Sequence, residues 1–524
     1  MVVPELRAWQ AAKPHVERFA RAARPRLART VELVKPQVAR VTKPTAWQYA
    51  TVAATAGLAL AAGVVTAAGP WDSSGQRTAE RERAASGELA GGADHGSVPG
   101  VSGKQPAPAP SAGPVLAGLG AARSAPTPTG DGLADVLDPL LDDSALGTSR
   151  TGAVVDVATG RRLYGRDAGK ALTPASTTKI ATAAAALTAM GADHRIRTRA
   201  VYEPGTGELV LVGGGDPTLT AREDADGNAS LRKLADRTAR ALKDGRGGKK
   251  GKGGKVRLAY DVSLYKGSDR HPIGPNENLA PVTALMADEA RTDDSSSGPA
   301  PRGTDPAADA ARTFADLLRD RGVETTEPKA AEADDDAKTL ASVQSPPLSA
   351  LVERMLTNSD NDIAEALARQ TALASGEPAS FKGGAAAIRK QLKKLDLPLK
   401  GVKFADGSGL DRADRMTADL LTALLAEAGA AGRPELRPVL TGLPVAGFTG
   451  TLSSRYDGQP GTGVVRAKTG TLTGVHTLAG TVVDRDGRLL AFAFLTSSNP
   501  PGDPAAAQRG LDHAASSLAD CGCA

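Results

Sequence analysis

Between Pro44 and Trp71 the chain carries no charged residue, and that gap constrains it before anything else does. The stretch 51–68 (TVAATAGLALAAGVVTAA) is long enough at helical rise to cross a hydrocarbon core, so one transmembrane helix is expected over 47–71. Ahead of it lie ten Lys or Arg and three Glu, an asymmetry that places residues 1–46 on the cytoplasmic side as a basic leader. Trp47, Tyr49 and Trp71 stand where interfacial aromatics belong. The alternative is a cleaved signal peptide ending near Val65-Thr66-Ala67. Under either reading everything after residue 71 is exported, and the anchor reading gives a single-pass protein of the cell membrane with its main domain extracytoplasmic.

Within the leader, Lys13-Pro14, Arg24-Pro25 and Lys35-Pro36 recur at eleven residues. That period keeps a basic stripe on one side of a helix, which suits either a solvated arm or a helix on an anionic inner leaflet. Residues 72–130, rich in Gly, Pro, Ser and Ala, read as a flexible linker with a root-mean-square reach of about 40–45 Å. The remainder, 131–518, has the length and apolar content for a packed globular domain.

Several function classes fall away on composition. Of the 524 residues only 3% are aromatic and the net charge is +5, which leaves little for stacking on bases, so no nucleic-acid partner is expected. The two cysteines, Cys521 and Cys523, exclude a disulfide framework and a thiolate-rich metal site. The six histidines show no ligand spacing, which argues against a zinc peptidase or a His-based triad; neither metal nor cofactor is expected. The loop 244–255 (DGRGGKKGKGGK) lacks the Gly-Lys-Ser/Thr of a phosphate loop, and Thr218 breaks the dinucleotide pattern begun at Gly213.

Strand patterns flank an Ala-Thr-Gly turn after Gly152 and recur at 208–212 and 256–260. Helical patterns occupy 175–190, 231–242, 347–373, 383–395 and 417–428. Acidic, Ser-rich stretches at 288–308 and 324–338 read as loops. The end reads as a hairpin, VHTLAGTVVD and RLLAFAFLTSS about Arg485-Asp486-Gly487, preceded by the strand VVRAKTGTLTG.

Three separated motifs carry the chemistry. In Ser176-Thr177-Thr178-Lys179 a spacing of three puts hydroxyl and amine on one helical face, near a helix N-terminus that favours developing negative charge. A lysine in a low-dielectric cleft beside other cations can lose its proton and serve as base toward the serine. In Ser359-Asp360-Asn361, opening the helix DIAEALARQTAL, the hydroxyl can relay a proton to a leaving amine and the carboxamide can bind a substrate amide. Taken singly, this motif would be an ordinary N-cap. In Lys468-Thr469-Gly470-Thr471, an edge strand with a glycine lets a peptide lie alongside. There Lys468 and Thr469 can hold a terminal carboxylate, and the Thr471 N–H can join that of Ser176 as an oxyanion hole. The order S-x-x-K, S-x-N, K-T-G on helix, helix and strand makes a specific set.

With those motifs the chain resembles the penicillin-recognising serine D,D-peptidases. In particular it resembles the D-alanyl-D-alanine carboxypeptidase/endopeptidase group often called class C low-molecular-mass penicillin-binding proteins, peptidase family S13. Further pieces that match are Gly213-Gly214-Gly215-Asp216-Pro217, Ala280-Pro281-Val282-Thr283, Asp406-Gly407-Ser408-Gly409-Leu410 and Gly450-Thr451-Leu452. The resemblance covers roughly residues 135–518. It implies an α/β fold of the serine β-lactamase/transpeptidase type, an antiparallel sheet between helical clusters, with a smaller subdomain inserted between about 215 and 340.

It also implies cleavage of peptidoglycan stem peptides through an acyl-enzyme, covalent binding of β-lactams, Ser176 as nucleophile, Lys179 as base, Ser359 and Asn361 as the second wall, and Lys468, Thr469 and Gly470 as the third. In this group a pocket takes the substrate's diamino-acid side chain, and Asp261 and Arg412 are the candidates for it. The family often has Ser where Asp411 stands. Two rivals remain. A β-lactamase would need a placed deacylating water, for which no Glu-x-x-x-Asn follows the S-D-N; a silent wall-binding module would not require the base.

Overall fold

The computed structural model describes residues 125–245, 255–499 and 503–523, so the leader, the expected membrane span, nearly all of the linker and most of the basic loop lie outside the described residues. Among the described residues no helix is long and apolar enough to cross a membrane.

The catalytic part is organised by a five-stranded antiparallel sheet. In chain order its elements begin with α1 (Gly130–Leu141), β1 (Ser149–Asp156), β2 (Arg162–Arg166) and α2 (Thr178–Met190). The chain then leaves for a second sheet: β3 (Arg197–Glu203), β4 (Glu208–Val212), α3 (Leu231–Gly245), β5 (Arg257–Asp261), α4 (Pro306–Asp320), β6 (Lys329–Ala330) and β7 (Lys338–Gln344). It returns through α5 (Leu348–Asn358), α6 (Asn361–Ala374), α7 (Phe381–Lys394), α8 (Ala418–Gly429) and the short α9 (Pro438–Thr441). It closes with β8 (Arg466–Leu472), β9 (Val475–Val483), β10 (Leu489–Ser497) and α10 (Pro504–Asp520).

Strand order in the first sheet is β2-β1-β10-β9-β8, which leaves β8 at the edge. Alternation along β10 divides its two faces. Phe492 and Phe494 pack with Leu133 and Leu137 of α1 and Leu511 and Leu518 of α10. Ala491, Ala493 and Leu495 face the cluster of α2, α5, α6, α7 and α8. This is the antiparallel sheet between helical clusters that the resemblance implies. The helix α2 (TKIATAAAALTAM) is buried through its first ten residues, Thr178 to Leu187, because alanine lets neighbours approach from every side.

The second sheet is mixed, in order β6-β5-β4-β3-β7, with β4, β5 and β6 parallel and β3 antiparallel to both its neighbours. Helices α3 and α4 cover one face through Leu234, Phe314 and Leu318. The sheet runs from residue 197 to residue 344, so both β3 and β4 precede the expected start near 215. Their polar positions in RTRAVYE hide a strand that the alternation did not reveal.

Several helices depart from the sequence reading, α1 and the short α9 among them. The acidic stretch read as a loop to 308 starts α4 at Pro306, because the Asp305 carboxylate accepts from Ala308 N at 3.2 Å and proline suits the first turn. α10 is started in the same way by Asp503, which accepts from Ala506 N at 3.1 Å. The pattern 347–373 is two helices, broken where Ser359 takes φ 59°. The two cysteines form a local disulfide, Cys521–Cys523, at the end of α10.

Candidate active site

The S-x-x-K motif lies where the chain leaves β2 and enters α2. Ala175–Thr177 make a 3-10 turn ahead of the α-helix, and Ala175 has φ 47°, a left-handed conformation that a non-glycine residue adopts at a cost of about 1–3 kcal/mol. The turn is held by Pro174, whose carbonyl accepts from Thr177 Oγ1 at 2.7 Å and from Thr477 Oγ1 of β9 at 2.8 Å. Ser176 is thereby half-buried at the floor of a cleft of about 450 Å³.

Lys179 is completely buried, and its amine donates to Ser176 Oγ at 3.0 Å, Asn361 Oδ1 at 2.7 Å and the Ser408 carbonyl at 2.7 Å. Burial pulls its pKa down to about 8, against the carboxylates of Asp406, Glu365, Asp360 and Asp414, which favour the charged form. The low-dielectric cleft of the sequence reading is the cause that acts; the cations it also named are not, since the charges around Lys179 that count most are carboxylates.

The S-D-N motif falls at the break between α5 and α6. Asp360, not Ser359, is the N-cap of α6 and accepts from Ile363 N at 3.0 Å. Ser359 ends α5 in the left-handed region, which frees its hydroxyl to accept from Lys468 Nζ at 2.9 Å. Asn361 is occupied at both ends of its amide, with Oδ1 on Lys179 and Nδ2 donating to the Asn278 carbonyl at 2.9 Å.

On β8, Lys468 is wholly buried; its second donor goes to the Thr469 carbonyl at 2.7 Å. Desolvation first, then the nearby Lys179 and Arg455, hold its pKa well below the ordinary lysine value. Thr469 Oγ1 donates to Thr451 Oγ1 at 2.9 Å. Gly470 has a different use from the one expected: a Cβ there would stand 2.1 Å from Thr477 Oγ1 and 2.7 Å from the Pro174 carbonyl, so the missing side chain admits the turn bearing Ser176. Thr471 is exposed at the cleft.

Eight of the ten sequence-predicted residues thus meet. Asp261 does not join them. It ends β5, is 7% exposed, and its carboxylate accepts from Ser263 N at 2.7 Å and Ala333 N at 3.0 Å, bonds that hold its own loops. Arg412 is exposed, with Nη2 on the carbonyl of Thr473, two residues beyond Thr471.

The sequence reading missed the wall contributed by the inserted segment. Asn278, Arg291 and Arg302 line the cleft, and Arg302 is paired with Asp362 at 2.8 Å with both side chains buried. Asp362 also accepts from Ala280 N at 2.9 Å. The available signal was Ala280-Pro281-Val282-Thr283, quoted for resemblance but given no place in the site.

Comparison with known proteins shows the family and the fold. Residues 133–300 and 293–518 match the model of the D-Ala-D-Ala carboxypeptidase 3 (S13) family. Carboxypeptidase DacB of Mycolicibacterium smegmatis is 36% identical over 422 residues, covering 76% of this chain and 86% of that one. The D-alanyl-D-alanine carboxypeptidase of Actinomadura sp. strain R39 is 31% identical over 469 residues, covering 72% and 83%. Among solved structures, penicillin binding protein 4 of Haemophilus influenzae shares the fold, with a TM-score of 0.59 at 22% identity over 74% of this chain and 98% of that one.

Proposed function

We infer the work of this cleft from the premise that the chain belongs to the D-Ala-D-Ala carboxypeptidase 3 (S13) family. It is a serine-type D-alanyl-D-alanine carboxypeptidase/endopeptidase that acts on peptidoglycan stem peptides and is acylated by β-lactams. The observation that carries the residue roles is a pair of contact runs that meet at the cleft: Ser176 Oγ to Lys179 Nζ to Asn361 on one side, and Lys468 Nζ to Ser359 Oγ on the other.

Ser176 Oγ attacks the carbonyl carbon of the scissile amide while Lys179, neutral at that moment, takes the hydroxyl proton. The N–H groups of Ser176 and Thr471 receive the negative charge on the carbonyl oxygen. As the tetrahedral adduct collapses, the carbon–nitrogen bond breaks and the leaving amine of the terminal D-Ala takes a proton by way of Ser359. Water then attacks the ester, restores Ser176 and releases the shortened peptide. Lys468 and Thr469 hold the terminal carboxylate. In a β-lactam the severed amide remains tethered in the opened ring, which keeps the leaving nitrogen in the way of water.

Ser176→Ala is expected to abolish covalent labelling by benzylpenicillin while the fold survives. Label found on another residue of that variant would overturn the assignment. Mass analysis of products from purified muropeptides divides carboxypeptidase from endopeptidase action.

The charge-free stretch 51–68 behind a basic leader supports attachment to the outer face of the cell membrane. Protease added to intact spheroplasts should release an active fragment beginning within 72–130. A soluble mature protein starting near Ala68 would instead establish a cleaved signal.

A further inference from the structure

Behind Lys179, away from the cleft, lies a buried polar cluster that the acylation scheme above leaves unused. Its members are Asp406, Ser408 and Asp414 on the D-G-S-G loop, Glu365 on α6, and His271 on the inserted segment. To take the proton of Ser176, Lys179 must present a lone pair to Oγ. A neutral amine then has two N–H bonds left, and these go to Asn361 Oδ1 and the Ser408 carbonyl, both at 2.7 Å. The direction of the lone pair is therefore set by where that carbonyl points.

The Ser408 carbonyl belongs to a trans peptide whose N–H is that of Gly409, and the two groups point in opposite directions. Gly409 N donates to Asp406 Oδ1 at 2.6 Å. Asp406 Oδ2 accepts from Asp411 N at 2.7 Å and lies 2.9 Å from His271 Nε2. The remaining ring nitrogen, Nδ1, accepts from Ile273 N at 3.1 Å, so His271 carries its proton on Nε2 and donates it to Asp406.

Glu365 accepts from Ser408 N at 2.8 Å and from Gly407 N at 3.1 Å, fixing the strand of the loop just before the carbonyl. Gly409 has φ +83°, and a Cβ on it would stand 1.9 Å from the Ala175 carbonyl, so this loop presses directly on the turn that bears Ser176. A carboxylate on one end of a peptide also polarises it, making the carbonyl at the other end a stronger acceptor.

We propose that Asp406, held by His271, is a positioning residue for acylation, acting through the Ser408–Gly409 peptide to aim the Lys179 lone pair at Ser176. The proposal rests on the reading of Lys179 as base. It gives the inserted segment a part in the chemistry, since His271 lines a separate cavity with Arg270 and Glu277 and does not line the substrate cleft.

The charges around the relay fit the arrangement. Burial would raise the Asp406 pKa, but hydrogen bonds from His271, Asp414 and the backbone hold it below the usual carboxylate value. Burial and the Asp406 charge push its neighbour Asp414 up. Facing Lys179 are Asp406, Glu365, Asp360 and Asp414 with Lys468 opposite, and facing His271 are Asp406, Glu365 and Asp411.

The test is the single-turnover rate of benzylpenicillin acylation of the full chain across pH, with thermal melting measured alongside, for Asp406→Asn, His271→Ala, His271→Gln and Lys179→Ala. In Asp406→Asn the limiting rate should fall roughly tenfold to a hundredfold, in the lower range of lost proton-transfer assistance. Its acid limb should move to lower pH, because a carboxylate that favours the charged form of Lys179 is gone. On a D-Ala-D-Ala peptide kcat should fall with KM little changed.

His271→Ala should reduce the limiting rate by a smaller factor, and His271→Gln should restore it by returning a donor to Asp406. A folded His271→Ala protein with the parental limiting rate and acid limb overturns the relay, whether or not Asp406→Asn folds. Loss of melting temperature without any change in rate or acid limb also overturns it, since that is what a merely structural cluster gives. Lys179→Ala separates the two readings. If it stays active, the base assignment has failed; if it is inactive while the relay variants match the parent, the relay alone has failed.

Discussion

The two five-stranded sheets of this chain obey the same alternation and bury different chemistry. Around the antiparallel sheet the interior holds Lys179, Lys468, Glu365, Asp406 and Asp414, ionisable groups that meet in or behind one cleft. Around the mixed sheet it is hydrocarbon, from Leu209 and Leu211 to Phe314 and Leu318. Charges buried there stay local: Glu203 accepts from Thr206 Oγ1 at 2.9 Å and from Asp334 N at 3.1 Å, and Asp261 holds Ser263 and Ala333. An inserted unit can therefore be stable on apolar burial alone and touch function through a single segment, residues 271–302.

That contrast breaks most visibly at the two lysines. Lys179→Ala should slow acylation by three orders of magnitude or more, the scale of losing an activating base. In the parent protein the rate should rise with pH about a midpoint near 8, as Lys179 gives up its proton. Lys468→Ala should slow acylation as well and, unlike Lys179→Ala, weaken carboxylate-bearing substrates more than analogues lacking the carboxylate. Equal defects on both kinds of substrate would end this division of labour.

A smaller effect is expected where the insertion is fastened. Arg302→Ala leaves Asp362 buried without its partner, and should cost about 3–5 kcal/mol of unfolding free energy in denaturant melts. Acylation by the surviving folded protein should drop only severalfold, because Lys179 and Lys468 keep their contacts. A loss as deep as that of Lys179→Ala would mean that the inserted wall takes part in the chemistry at this point too.

The smallest effect separates two roles for Asp261. As a holder of loops, Asp261→Asn should cost about 1–2 kcal/mol of stability and leave the ratio of kcat/KM between substrates differing in their diamino acid unchanged. A shift in that ratio would restore Asp261 to the substrate pocket.

What could be read from residues alone followed from local physics. The spacing of Ser176 and Lys179, the strand around Lys468 and the hairpin of β9 and β10 are properties of short segments, and each is found in the fold. Contacts between distant segments were not legible. Nothing near Ser408 in sequence says that its backbone carbonyl faces Lys179, because that role belongs to a peptide group and not to a side chain. Asp261 misled because a carboxylate at a strand end looks the same whether it meets a ligand or its own loop. α4 and α10 escaped because much of their buried face is alanine, a weak marker of a core position, and their starts rest on a single capping aspartate each.

Strand order in the antiparallel sheet has a consequence for how the molecule comes into being. β1 pairs with β10, Ser149 opposite Ser497, across nearly the whole domain, while the ladder of the mixed sheet closes within residues 197–344. A chain emerging from its N-terminus can complete the insertion while the last three strands are still missing. Until they arrive β1 has only the β2 hairpin, and closing so long a loop is the slow kind of contact. Lys468 and Thr477 come with those strands, so the Ser359–Lys468 pair and the support of the Ser176 turn are assembled only at the end of synthesis, and a chain truncated before residue 466 would carry an intact nucleophile motif without an enzyme around it.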